Sequence, residues 1–218
     1  MNVDNEEINR RIEEVHRLVS GKSALLVIDM QHGFLDQGAS LEVAAGRAII
    51  PTIRSLVDAF RAKKAPVAFT EFVYADNVPC LRGDPFGVEH LPAKEGEPTG
   101  LEHPSSNCLI GPNAGEGVES AETVEELAPL PGELVVQGHT YDKFYGTPLD
   151  LSLRSQGITH LVATGMTTDV CVSGTVISGT TRDYRVTLAS DGIASPFPDI
   201  HEAALKLLAH KFARLKTS

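Results

Sequence analysis

Cys171 follows a run that reads as a buried strand and a tight polar turn, Leu161-Val162-Ala163-Thr164-Gly165-Met166-Thr167-Thr168-Asp169-Val170, and stands in the first turn of a predicted helix. A cysteine so placed is one way to make a nucleophile, because unpaired N–H groups and the positive end of the helix dipole stabilise a thiolate and draw its pKa below the free value of about 8.5. The position suits a small buried apolar side chain equally well, since free cysteines are among the most buried residue types. Taken alone, the residue leaves both readings open. Asp29 directly follows the apolar run Ala24-Leu25-Leu26-Val27-Ile28. A carboxyl there lies at the carboxyl edge of a sheet, partly dry, where its protonation state is tunable; a turn or helix cap is its plainer role. Gln31 and Phe34, two and five residues on, suit packing or the wall of a site.

The elements that must position these groups alternate along the chain. Val3 to Ser20 spaces Ile8, Ile12, Val15 and Leu18 as an amphipathic helix would, a helical extension (1–20) lying on the body or on a partner subunit. Strands are expected over 24–28, 65–70, 133–137, 159–164 and 184–189. Helices are expected over about 44–63, 147–156, 170–182 and 199–213. Strands without in/out alternation, joined by helices, imply an α/β domain (21–218): a doubly wound, mostly parallel sheet of five or six strands with helices on both faces. Ligands in such sheets sit beyond the carboxyl ends of the strands, where strand order reverses. With the first and fourth strands adjacent, Asp29 and Cys171 converge on one crevice. From about Tyr74 to Ser120 the chain is rich in Pro and Gly and lacks a periodic pattern, which suits a lid or subunit-contact loop. Asp191, after Ala189-Ser190, reads as a turn or cap at a strand end.

Composition narrows the classes further. At 218 residues with a formal charge of −10, the chain has length for one substantial core and lacks the basic balance a nucleic-acid partner calls for. It shows neither a long apolar span nor a charged-then-apolar leader, so the expectation is a soluble cytoplasmic protein with no membrane partner. Cys80, Cys108 and Cys171 are an odd number without metal-site spacing, and His90 and His103 match no ligand pattern, so neither a disulfide framework nor a metal is expected.

Three blocks, Val27-Ile28-Asp29-Met30-Gln31-His32-Gly33-Phe34, Phe144-Tyr145-Gly146-Thr147-Pro148-Leu149-Asp150 and Thr164-Gly165-Met166-Thr167-Thr168-Asp169-Val170-Cys171-Val172, resemble in content, order and separation the signature blocks of the isochorismatase-like cysteine hydrolases. The resemblance runs from about Ser23 onward and is greatest to the branch of small amidases that includes N-carbamoylsarcosine amidase, ureidoacrylate hydrolase and biuret hydrolase. The nicotinamidase branch fits less well, because Glu71-Phe72-Val73-Tyr74-Ala75-Asp76 lacks its metal-binding cluster. The resemblance implies that Asp29 is the base, that Cys171 attacks the carbonyl to form a thioester, and that a cis peptide at Met166-Thr167 aims the N–H groups of Thr167 and Cys171 at the oxyanion. It implies no cofactor, a small amide or carbamoyl substrate, and a homodimer or homotetramer. Pocket residues on this reading are Gln31, Phe34, Gly138, Tyr141, Phe144 and Thr168.

The family also uses a lysine, six residues before the Phe of the second block, where this chain has Gly138. Either His139 takes its role, or Lys143 reaches the site from a rearranged loop, or the site has lost part of its chemistry. Beyond the cysteine, Ile177 and Asp183 replace a polar residue and a glycine; Asp183 suits the left-handed cap that glycine would make, and Ile177 suggests an altered site wall or subunit contact. Two functions therefore stand: a cysteine hydrolase of a small linear amide, ureido or carbamoyl compound, and a same-fold protein with weakened or redirected catalysis, a binder or a vinyl-ether lyase.

Overall fold

The apolar run after Lys22 forms a strand buried along its whole length, β1 (Ser23–Ile28), and its alternate side chains feed two cores. Ala24, Leu26 and Ile28 face one cluster, while Leu25 and Val27 face the other. That is what a sheet covered on both faces requires of its central strand. The computed structural model describes residues 5–39, 41–73 and 120–218. The expected loop at 74–120, with His90, His103, Cys80 and Cys108, lies outside the described residues but for Ser120.

In chain order, α1 (Asn5–Val15) precedes β1, then come α2 (His32–Leu35), α3 (Gly46–Ala62), β2 (Val67–Phe72), β3 (Leu134–Gly138), α4 (Leu149–Ser155), β4 (His160–Met166), α5 (Ser173–Thr181), β5 (Arg185–Ala194), α6 (Pro198–Lys211) and β6 (Arg214–Lys216). Six strands pair in parallel in the order β3-β2-β1-β4-β5-β6. The order reverses between β1 and β4, so the crevice of a doubly wound sheet opens where Asp29 and the turn after Met166 emerge. On one face α3 sets Ile49, Ile53, Val57 and Phe60 into the core at helical spacing. The opposite face carries Leu149 and Leu153 of α4, Val176 of α5 and Leu208 of α6.

Several elements differ from their sequence pattern. The helix expected from Val170 begins with a π-helical turn over Thr168–Val172 before α5 takes over. β5 continues past Ala189 to Ala194, with its register against β4 shifted between Ala163 and Gly165. Asp191 is therefore an exposed strand residue, corrected from a strand-end cap, and it accepts the backbone N–H (2.9 Å) and hydroxyl (2.7 Å) of Ser218. β6 is three residues long, two of them charged, and too short to carry a periodic signal. Asp183 takes the left-handed conformation expected of it, φ 66°. Ile177 packs half-buried against the α5-side core. Among the described residues, no helix is long and apolar enough to cross a membrane.

Candidate active site

Asp29 leaves β1 in a left-handed conformation, φ 52°, and is fully buried. Its backbone N–H donates to the Thr70 carbonyl (3.1 Å), and its Oδ1 accepts from the Thr70 hydroxyl (2.7 Å). Thr70 lies beside Ile28 on β2, so the neighbouring strand fixes the direction of the carboxylate. The second oxygen, Oδ2, meets the Lys143 ammonium at 2.8 Å. Lys143 is as buried as its partner, 0 % exposed. Its ammonium also stands 5.0 Å above the centre of the Phe72 ring, a cation–π contact in a dry setting.

Two full charges out of water hold only when each neutralises the other. Burial by itself pushes the Lys143 pKa down, but the Asp29 carboxylate foremost, with Cys171 and Asp142 adding to it, lifts the group above the ordinary lysine value. Lys143 is thus a fixed cation that responds to charge on both Asp29 and Cys171.

Cys171 comes to this place from β4. At Gly165, φ is +109°, and a Cβ would stand 2.0 Å from the Ile28 carbonyl oxygen. Only glycine lets β4 pass so near β1 just before the chain turns. The Met166–Thr167 peptide bond is cis, and the π-helical turn follows, with Cys171 6 % exposed and free of any disulfide. In the same turn the Thr168 hydroxyl hydrogen-bonds His201 Nδ1 (2.8 Å), and the Ser173 hydroxyl donates to the Thr168 carbonyl (2.6 Å).

The other residues singled out in the sequence divide. His139 (2 % exposed) lies with its ring 5.3 Å from Phe72, and Tyr141 stacks on the same ring at 6.0 Å, so both join the wall that carries the Lys143 ammonium. Gly138 ends β3 opposite Phe72. Gln31 is a brace: its amide N–H groups donate to the Phe72 and Ala121 carbonyls (3.1 and 2.7 Å), and its Oε1 accepts from Phe72 N–H (2.8 Å), which ties β1 to β2 rather than lining a pocket. Phe144 is a core residue, stacked on Tyr184 at 5.7 Å beneath α5, and Phe34 packs half-buried against the opposite core. These three placements have one cause. An aromatic or amide near a strand end is as useful for joining elements as for meeting a ligand, and the chain pattern does not separate the two.

Sequence reasoning passed over Thr70 and Phe72. Thr70 carried a usable signal, a polar residue near the end of an apolar strand, the same signal that marked Asp29. Among the described residues, no group of three or more His, Cys, Asp or Glu side chains is arranged to hold a metal ion.

The family model of the isochorismatase domain matches residues 23–218. The chain belongs to the isochorismatase family. It is 32 % identical over 187 residues to the ureidoacrylate amidohydrolase RutB of Enterobacter sp. (strain 638), covering 84 % of this chain and 79 % of that one. Among solved structures, it is similar to an isochorismatase-like hydrolase from Alkaliphilus metalliredigens (26 % identity, 90 % and 94 % of the two chains, TM-score 0.69). A cysteine hydrolase from Pseudomonas syringae pv. phaseolicola 1448A is also similar (25 % identity, 92 % and 90 %, TM-score 0.73). For this isochorismatase-family chain, the notable point of the site is the origin of its cation. The resemblance puts a lysine at position 138, and the ammonium beside Asp29 comes from position 143.

Proposed function

We propose that the protein hydrolyses the C–N bond of a small linear amide, ureido or carbamoyl compound through a thioester on Cys171, with no metal or organic cofactor. The observation that carries this reading is the buried Asp29–Lys143 pair at 2.8 Å, with Cys171 close enough for its charge to be felt at the ammonium. A cation held beside a thiol favours the thiolate, and a carboxylate within reach can take the thiol proton. Cys171 sulfur then bonds to the carbonyl carbon, and the tetrahedral intermediate expels the amine, which leaves with the proton from Asp29. Water attacks the thioester, gives its proton back to Asp29, and releases the acid and the thiolate. The N–H groups of Thr167 and Cys171 serve the oxyanion in both steps. The relative named as a ureidoacrylate amidohydrolase supports the ureido class. The Lys143 ammonium beside Asp29 supports this reading over a same-fold protein with weakened catalysis.

The test is ammonia release from a panel of ureidoacrylate, N-carbamoylsarcosine, biuret and short aliphatic amides. One or more should be turned over, and the acyl group should be found on Cys171 by mass spectrometry of acid-quenched enzyme. Cys171→Ala should stay folded and release no ammonia. Turnover retained by that variant would sink the mechanism.

A further inference from the structure

We infer that two threonines, Thr147 and Thr175, clamp the backbone of Lys143 and so set the position of its ammonium, and that Gly138 leaves the space one of them needs. The inference rests on reading Lys143 as the cation of the site. Lys143 stands in the loop between β3 and α4, outside regular structure. A four-carbon side chain on a loose loop has many ways to place its charge. Here both polar atoms of its backbone are held. The Lys143 N–H donates to the Thr175 hydroxyl of α5 (3.2 Å), and its carbonyl accepts from the Thr147 hydroxyl (2.6 Å).

Each threonine is itself anchored. Thr175 donates to the Tyr141 carbonyl (3.3 Å), and Thr147 accepts from Leu149 N–H at the start of α4 (3.3 Å). The flanking residues are fixed as well: Asp142 accepts from Phe144 N–H (2.8 Å) and from the Ser178 hydroxyl of α5 (2.7 Å). With the backbone held, adjacent side chains diverge. Phe144 enters the core under α5, and Lys143 turns to Asp29.

Gly138 completes the arrangement. A Cβ built there meets one atom of the described residues within 4 Å, Thr147 Cγ2 at 3.1 Å. That is tighter than ordinary contact, so a side chain at 138 presses on the threonine whose hydroxyl holds the Lys143 carbonyl. Thr147 and Thr175 are positioning residues: they act on Cys171 and Asp29 through Lys143.

The readout is the rate at which iodoacetamide alkylates Cys171 in the full chain, followed by peptide mass spectrometry from pH 5 to 10. The groups whose charge bears on Lys143 and shapes this profile are Asp29 from β1, Cys171 from the π-helical turn, and Asp142 from its own loop. Lys143→Met should slow alkylation at pH 7 at least tenfold and move the midpoint upward. Thr147→Val, which keeps shape and loses the hydroxyl, should slow it at least fivefold with the same upward displacement. Thr147→Ser should stay within twofold of the native chain, and Gly138→Ala should slow it about threefold by displacing Thr147. If Thr147→Val does not fold, Gly138→Ala and Thr147→Ser carry the comparison. A slow Lys143→Met beside native rates for Thr147→Val and Gly138→Ala overturns the clamp alone. A native rate for Lys143→Met overturns the reading of Lys143 as the site cation, and the clamp with it.

Discussion

Replacing Lys143 with Met removes the charge and keeps most of the volume, so it isolates the electrostatics of the buried pair. Asp29 is then left 0 % exposed with the Thr70 hydroxyl at 2.7 Å and no cation. Removing one partner of a buried ion pair costs about 3–5 kcal/mol, because the remaining charge stays out of water. For a chain of this size each kcal/mol moves Tm by about 2–4 °C, which gives a fall of about 6–20 °C. The double variant Asp29→Asn/Lys143→Met carries neither charge and should be more stable than Lys143→Met alone, with a favourable coupling of about 2 kcal/mol or more in the double-mutant cycle. The pH dependence has a definite sign. Lys143 is raised above its ordinary 10.5, so the stability it contributes is complete below about pH 10.5 and is lost as pH climbs through the higher folded value. Urea unfolding at pH 7 for the four proteins, with thermal scans from pH 7 to 11, measures both effects. A Lys143→Met Tm within 2–3 °C of native, together with a double variant no more stable than it, would refute the claim that the pair is mutually neutralising.

Two further substitutions test how the strands deliver the site. Gly165→Ala should cost more than about 4 kcal/mol or prevent folding, because its Cβ falls 2.0 Å from the Ile28 oxygen at a φ of +109°; a native-like urea midpoint would show that β4 need not pass so close to β1. Gln31→Leu should cost about 1.5–4.5 kcal/mol, the sum of three buried hydrogen bonds to Phe72 and Ala121 at about 0.5–1.5 kcal/mol each. A loss under about 1 kcal/mol would show that the amide does not brace β1 against β2.

The sheet was legible because its signal is dense. Each central strand is a short apolar run bounded by turn residues, and two cores fed by alternate residues of β1 follow from burial on both faces. Asp29 and Cys171 were legible for a related reason: Asp29 stands immediately beyond one such run and Cys171 in the turn that follows another, and the two runs pair in parallel. What lay hidden was side-chain direction in the loop after β3. Lys143 and Phe144 are neighbours in the chain, yet one is buried against a carboxylate and the other in the apolar core. Their divergence depends on hydrogen bonds from Thr147, just before α4, and Thr175 of α5, which share no periodic pattern with them. Gln31 shows the converse, since a polar residue two positions from Asp29 is engaged wholly with backbone.

The path of that loop explains how a cation rooted at position 143 stands beside Asp29. Among the described strands β3 lies at one edge of the sheet, and β2 separates it from β1, so Gly138 starts two strand spacings, roughly 10 Å, from the strand that carries the aspartate. α5 begins after β4, on the far side of β1. Because Thr175 of α5 binds both the Tyr141 carbonyl and the Lys143 N–H, the loop has left β3 and met α5 by the time it reaches residue 143. Coulomb energy depends on where the charge finishes and on what surrounds it, so a stem rooted in this loop meets the electrostatic need of the crevice as well as one rooted on β3. The cost is that a loop must be made as rigid as a strand. The two threonine hydroxyls on Lys143, the two acceptor contacts of Asp142 and the stacked ring of Phe144 supply that rigidity within three consecutive residues.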